Sequence, residues 1–405
     1  MQQDERWGRY SVLGYRARSE HAYPPGTPAL AMLNDDTAAL ENAETLAGRL
    51  SQSLVGYIAY DAGHLPNGIP LWPNEGLTAR LMRDCTVAVF DHLELTMTIA
   101  GRSNNAIDRC AWEMTHGPDF DAMPAPDVFA EALFAEPNIN DEAYATKVAR
   151  AKTLLSAGDC ESVVLARTFH APMRNADALD AYRALRLLAP SSYLFFLDFA
   201  ETPFAEGLVI AGASPGTMLR VEEGRRASGE IDIELPNGAP AVDYLRAAFP
   251  APALTGTPKK RAMQIIRQLE PGPRGIYGGA IGYVSADGTA DFAIGMRTIV
   301  SAQGAFEVTA GAAITSGSEP AQAAEQTKKE AQVALAAVRA AQDAAERREA
   351  KEEAKRKRLE AEEKKKAEAA AEAGAEAEAG TEAGAESGAE AESEAEAAAE
   401  SSAEA

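Results

Sequence analysis

The stretch Gly275-Ile-Tyr-Gly-Gly-Ala-Ile-Gly-Tyr283 sets four glycines among apolar residues, and its second half, Gly279 to Val284, reads as a strand. Glycine inside a strand marks a bulge, or a place where a ligand or another backbone comes close; both readings stand at this point. Upstream, Thr255-Gly-Thr-Pro258 opens a helix over Pro258–Leu269, with proline in the first turn, where a missing N–H costs nothing. Lys259, Lys260 and Arg261 follow it. A Gly/Thr turn at a helix start can hold an anion on its free N–H groups. The spacing is not that of a GxxxxGK[ST] phosphate loop, and a simply capped helix is the first reading. Downstream, Met296-Arg297-Thr298 puts a guanidinium into an apolar strand, where it needs an anionic partner: an Asp, a Glu or a ligand carboxylate.

Other elements surround this stretch. Leu54–Tyr60, Thr86–Phe90, Leu93–Ile99, Ser162–Ala166, Tyr193–Leu197, Leu208–Ala213 and Thr298–Val300 read as strands. Asp141 reads as the N-cap of a helix ended by Gly158, and Pro320–Ala341 as a long Ala-rich helix. The Pro-rich acidic stretch Pro118–Pro126 reads as a linker. Strands and helices mix without strict βαβ alternation, which predicts an α+β fold of layered mixed or antiparallel sheets with outer helices.

The 405 residues are enough for two or three domains at roughly 100–200 each. The boundaries fall at 1–125, 126–345 and 346–405. Net charge is −22, but residues 371–405 hold eleven Glu and no Lys or Arg, while 346–370 hold eight Glu against ten Lys and Arg. The remaining body is only moderately acidic, which excludes non-specific nucleic-acid binding. Residues 346–370 read as a solvated helix with i,i+4 ion pairs, and 371–405 as a disordered tail with no large apolar side chain. No apolar run reaches the ~18 residues of a membrane span, and no signal region follows Met1. Cys85, Cys110 and Cys160 lie too far apart for a zinc or redox motif, which points to a cytoplasmic protein. His21, His64, His92, His116 and His170 show no ligand-like spacing and read as surface or packing residues.

Several segments in order resemble the large subunit (component I) of anthranilate synthase, among the chorismate-using enzymes. They include Arg6-Trp-Gly-Arg-Tyr-Ser11, Leu54-Val-Gly-Tyr-Ile-Ala-Tyr-Asp61, Pro190-Ser-Ser-Tyr193, Gly212-Ala-Ser-Pro215, Leu254-Thr-Gly-Thr-Pro-Lys259, Arg274-Gly-Ile-Tyr-Gly-Gly-Ala280, Arg297-Thr298 and Gly311-Ala312. The resemblance covers about residues 5–345 and leaves out the tail. It implies conversion of chorismate and ammonia or glutamine to anthranilate and pyruvate, in tryptophan biosynthesis. It also implies a Mg2+ ion on the ring carboxylate and, as partner, a glutamine amidotransferase subunit or a second copy. Substrate-binding positions carried over are Tyr277 and Arg297 for the pyruvyl carboxylate, with Gly311 and Ala312 in a turn whose N–H groups approach the substrate.

The resemblance also shows what is missing. The family's late Glu pair, which ligates magnesium, falls on Ala323 and Gln326; the neighbouring Glu325 is out of register. The family's Gly-Ala-Gly reads Gly311-Ala312-Ala313, its threonine is Ala253, and its Ser-Pro-Glu is Ser214-Pro215-Gly216. After Glu230, the segment that carries further acidic ligands, an Arg-Asn-Asp motif and the proton-transferring His is absent; Ile231–Pro240 leads directly into Ala241. No catalytic residue is therefore assigned, no metal ligand is assigned, and the expected activity is impaired or lost. The alternative is a non-catalytic paralogue that binds chorismate or an amidotransferase.

Overall fold

The computed structural model describes residues 8–117, 120, 122–123, 126, 135–203, 205–222, 225–227 and 239–401, with backbone alone for 225–227 and 371–401. The N-terminal elements are β1 (Tyr10–Tyr15), β2 (Ser19–Tyr23), α1 (Ala29–Ala38), α2 (Leu46–Gln52), β3 (Leu54–Ile58), α3 (His64–Asn67), β4 (Ala79–Arg83), β5 (Thr86–Asp91), β6 (Thr96–Ala100) and α4 (Asn104–His116). After them come β7 (Glu136–Pro137), α5 (Asp141–Ser156), β8 (Ser162–Pro172), α6 (Ala178–Leu188), β9 (Tyr193–Phe199), β10 (Leu208–Ser214), β11 (Thr217–Glu222), β12 (Arg225–Ala227) and α7 (Ala241–Ala248). The last are β13 (Gly256–Thr257), α8 (Lys259–Leu269), β14 (Ala280–Val284), β15 (Ala290–Ile294), β16 (Thr298–Ala302), β17 (Ala305–Ile314) and α9 (Pro320–Ser401).

Two seven-stranded sheets carry the body. One runs β13-β8-β17-β16-β10-β9, with β7 also on β8; the other runs β12-β11-β15-β14-β3-β4-β2. A small third sheet is β1-β5-β6. Each strand pair within the described residues is antiparallel. This is the layered α+β architecture expected from the sequence. The second sheet joins strands on both sides of residue 125, because β3 pairs with β14 from Val284↔Leu54 to Ala280↔Ile58. Residues 1–344 form one compact unit.

The two large sheets face each other through Tyr57 and Ile281 on one side and Phe199 and Ile210 on the other. Helices cover the outer faces. Leu33 of α1 and Tyr244 and Leu245 of α7 pack with Leu81 and Phe292 of the second sheet. Val148 of α5, Ile265 and Ile266 of α8 and Ala323 and Ala324 of α9 pack with Val163, Leu165 and Ile314 of the first. Each outer cluster removes apolar area from water at about 25 cal/mol per Å2, the main driving force for this layering.

The glycine-rich stretch resolves in favour of backbone approach. Gly282 pairs with Gly56 across β14 and β3. A Cβ built on Gly282 would overlap the Asp291 carbonyl oxygen, so nothing larger fits.

Some elements differ from expectation. The strand expected over Leu93–Ile99 begins at Thr96, because the Asp91 carboxylate accepts the Leu93 and Glu94 N–H groups and Leu95 turns at φ +53°. The cap of α5 is Asn140, whose side chain accepts from Ala143 N–H; Asp141 instead pairs with Arg167 at 2.8 Å and Lys328 at 2.6 Å. Most of the linker expected at Pro118–Pro126 lies outside the described residues.

The tail expected to be disordered from 371 continues as helix α9 to Ser401. Alanine and glutamate, which dominate it, have the highest helix propensities, and that outweighs the lack of apolar side chains. Residues 351–370 are exposed along their length and carry the expected i,i+4 ion pairs, such as Lys357–Glu353 at 2.7 Å and Arg358–Glu362 at 2.9 Å.

Candidate functional site

The turn between α8 and β14 organises the site. Glu270, the residue after α8, accepts two hydrogen bonds from Arg274, at 2.9 Å and 2.5 Å, and a third from the Ala166 N–H of β8 at 2.8 Å. Arg274 also donates to the carbonyls of Leu254 and Val164, each at 2.6 Å. Both side chains are buried, at 2% and 5% exposure. The pair fixes the loop 270–277 against β8. Asp61 secures its other side by accepting from the N–H groups of Arg274 and Gly275 at 3.3 Å and 2.8 Å.

This loop delivers Tyr277 to Gly311. The ladder between β16 and β17 ends at Ile299↔Val308, so β17 beyond Val308 is paired with β8 alone. The Tyr277 hydroxyl lies over this part of β17, against Gly311: a Cβ there would sit 2.7 Å from the phenol oxygen. Burial pushes the Tyr277 hydroxyl well above the usual tyrosine range, against the opposing charge of Arg274, so it stays protonated.

Beside Tyr277 the two sheets enclose a cavity of about 280 Å3. Tyr57, Ala59 and Asp61 form one wall, Thr168, Thr298, Glu307 and Thr309 the facing one, and residues 273–277 the floor. Of the charged lining residues, Arg274 is committed to Glu270, Glu307 sits 3.3 Å from His170, and Asp61 holds the loop.

The positions carried over from the resemblance do not all converge. Tyr277 and Gly311 meet, as described. Gly311 and Ala312 lie inside β17, opposite Ala166 and Leu165, and not in a turn. Strand alternation turns the Ala312 side chain to the opposite face, where it packs in the cluster with Ile266 and Ala323 and not in the lining of this cavity. Arg297 takes φ +48° just before β16, half-buried, and its guanidinium has no ion-pair partner among the described residues. It is absent from the cavity lining, whereas the next residue, Thr298, is part of it. The turn at Thr255–Pro258 is a structural one: Lys259 donates to the carbonyls of Ala247, Ala248 and Phe249 and so caps the end of α7.

The expected magnesium position can be tested directly. Ala323 is buried in an apolar cluster with Ile266 and Leu165, and Gln326 donates to Glu330 at 2.8 Å on the exposed face of α9. Glu325 is engaged with Lys328 at 2.8 Å. Neither carried-over position offers a carboxylate, so the residues present do not fit a magnesium ion there. The segment expected to be missing after Glu230 would adjoin residues 228–238, which lie outside the described residues.

Two facing antiparallel sheets with outer helices, and a pocket between them closed by the 270–277 loop, define the fold of the chorismate-using enzymes. The chain belongs to the chorismate binding enzyme family, whose profile matches residues 5–231 and 228–336. It is 31% identical to anthranilate synthase component 1 of Streptomyces coelicolor, over 82% of this chain and 81% of that protein. It is 29% identical to the Thermus thermophilus counterpart, over 83% of this chain and 90% of that one. In solved structures it resembles anthranilate synthase component I of Streptococcus pneumoniae, with a TM-score of 0.68, 23% identity and coverage of 81% of this chain and 92% of that one.

The family profile matches in two pieces that meet at 228–231. The Streptomyces alignment is 425 positions long yet uses 82% of 405 residues, about 332, so about 93 positions face gaps in this chain.

Proposed function

We propose that this chain is a chorismate-binding member of the anthranilate synthase component I type in which the amination and elimination chemistry is impaired or lost. One observation carries the reading: at the two positions where the resemblance places magnesium carboxylates stand an alanine buried in an apolar cluster and an amide on the helix surface. Leaving-group chemistry near neutral pH needs a general acid, and losing one typically lowers a rate by ~10²–10⁴. The segment that would bring that acid is missing too.

What remains suits binding better than turnover. Tyr277 offers a protonated hydroxyl beside the cavity, Thr168, Thr298 and Thr309 offer neutral partners, and Arg297, without an ion-pair partner among the described residues, directly precedes the lining residue Thr298. These are the groups through which a carboxylated ring compound would be held. An amidotransferase subunit as partner and a place in tryptophan biosynthesis belong to the same reading.

The test is chorismate plus ammonia with magnesium, followed by anthranilate fluorescence, alongside calorimetric titration of chorismate. Weak binding with little magnesium dependence and no anthranilate is expected, for the native chain and for Gln326→Glu alike. Turnover at an ordinary ~1–10³ s⁻¹ would overturn the reading.

A further inference from the structure

Behind the cavity wall lies a second cluster that the proposed function does not use. Asp61 stands in the short turn Tyr60–Gly63, His64 opens α3, and Glu75 returns from the following loop. All three are buried, at 3%, 1% and 8% exposure. One ligand atom from each lies within 4.8 Å of the others. His64 Nε2 is 3.8 Å from Asp61 Oδ1, and His64 Nδ1 is 3.4 Å from Glu75 Oε2. Sequence spacing alone left His64 as a packing residue.

The cluster is under-compensated. Glu75 Oε2 accepts the Trp72 N–H at 3.0 Å, but Glu75 Oε1, on a side chain only 2% exposed, has no hydrogen-bond partner among the described residues. Arg274 spends its donors on Glu270 and two carbonyls and gives Asp61 only its backbone N–H, and Arg267 donates to the carbonyls of Pro70 and Leu71. Two buried carboxylates therefore face at most one imidazolium. A buried anionic oxygen without a partner costs several kcal/mol, and a bound cation is one of the few ways to satisfy it. The cluster also has an approach: Asp61 and Gly76, the neighbour of Glu75, line the cavity.

We propose that Asp61, His64 and Glu75 form a binding site for one divalent first-row transition metal ion, with its open coordination positions towards the cavity. Two carboxylates and one imidazole are the donor set of such ions and not of calcium or copper(I). At metal–ligand lengths of ~2.1 Å, ligands lie at most ~4.2 Å apart across an ion, so the set needs to contract by about half an ångström. The position is separate from Ala323 and Gln326, so it does not restore the magnesium site.

The full chain, stripped with chelator, is titrated with Mn2+ alone by calorimetry, and pulsed electron paramagnetic resonance then reads 14N coupling from a bound imidazole. Expected are one ion per chain, a 14N signal, and affinity lowered by ~100-fold or more in Glu75→Gln and in His64→Gln. A control with His21→Gln and His170→Gln, each histidine lying beside a single carboxylate, keeps the signal. Dissociation constants above ~1 mM, binding without 14N coupling as the acidic tail alone would give, or undiminished binding in the folded Glu75 and His64 variants would each overturn the site. If those variants do not fold, the His21/His170 control decides: retained 14N coupling supports the site and its loss refutes it.

Discussion

Replacing Arg274 by methionine tests the ion pair that holds the 270–277 loop. The substitution keeps most of the apolar stem and removes four short hydrogen bonds: two to Glu270 and one each to Leu254 and Val164. Breaking a buried pair from one side costs ~3–5 kcal/mol, because the remaining charge is left uncompensated. Some of that is recovered when water or a proton reaches Glu270, so about 4 kcal/mol is expected. At ~2–4 °C per kcal/mol for a body of this size, the melting temperature should fall by roughly 8–15 °C. Tryptophan fluorescence is the right probe, since Trp72 and Trp112 lie in the body and the C-terminal helix beyond 345 has no tryptophan. The double variant Arg274→Met with Glu270→Leu removes the stranded charge but leaves the Ala166 N–H without its acceptor, at ~1–3 kcal/mol. It should therefore be more stable than the single variant. A single-variant cost below ~1 kcal/mol, or a double variant less stable than the single, would refute the assignment of this pair as the loop's anchor.

Gly282→Ala should destabilise the body by ~3 kcal/mol or more in denaturant melts, because the added methyl meets the Asp291 carbonyl and Phe292 Cα of β15 and not a movable side chain. Burial pushes the Cys85 thiol up to about 11, with the Asp84 charge acting in the same direction. The thiol form is then favoured by the folded state, so its contribution is intact below ~8.5, the unfolded value, and is lost as pH rises towards 11. Labelling of Cys85 by a thiol reagent at pH 8 should be far slower in the folded chain than after denaturation, and equal rates would contradict this.

The fold was legible where side-chain size alternates and hidden where it does not. Tyr193–Phe199 and Leu208–Ser214 announce themselves through large β-formers, and both are strands. β17 alternates buried and partly exposed residues as regularly as any strand, but at 310–313 it holds only alanine and glycine, so the pattern loses its hydrophobic contrast there, and the turn expected at Gly311 came from the resemblance alone. Leu93 and Leu95 mislead in the other direction: they alternate like a strand, yet local bonds from the Asp91 carboxylate turn the chain there and leave them 71% and 89% exposed.

The site was legible in part. Tyr277 and Gly311 lie 34 positions apart, and only sheet topology brings them together, through a strand whose open edge no local signal marks. Asp61 and His64 share a helical i,i+3 spacing that was present in the sequence, but Glu75 joins them through a loop return that spacing alone does not reveal.

The retained and lost residues separate by a physical rule. Arg274, Glu270, Tyr277 and the glycines at 282 and 311 each bond or abut another part of the chain, so each contributes to the folded state with or without a ligand. Carboxylates gathered for a metal are different: without the ion they repel one another and bury charge, and they destabilise the empty protein. An alanine at 323 removes that burden and extends the apolar cluster of Leu165, Ile266 and Ala312 onto α9. A chain released from turnover would drift in this direction while its sheets, its loop anchor and its cavity stay in place. By the same rule the buried acids at 61 and 75 should not have persisted in this chain unless something compensates them. Asp61 has two backbone N–H groups in that role, whereas one oxygen of Glu75 has no hydrogen-bond partner among the described residues, the observation on which the proposed cation site rests.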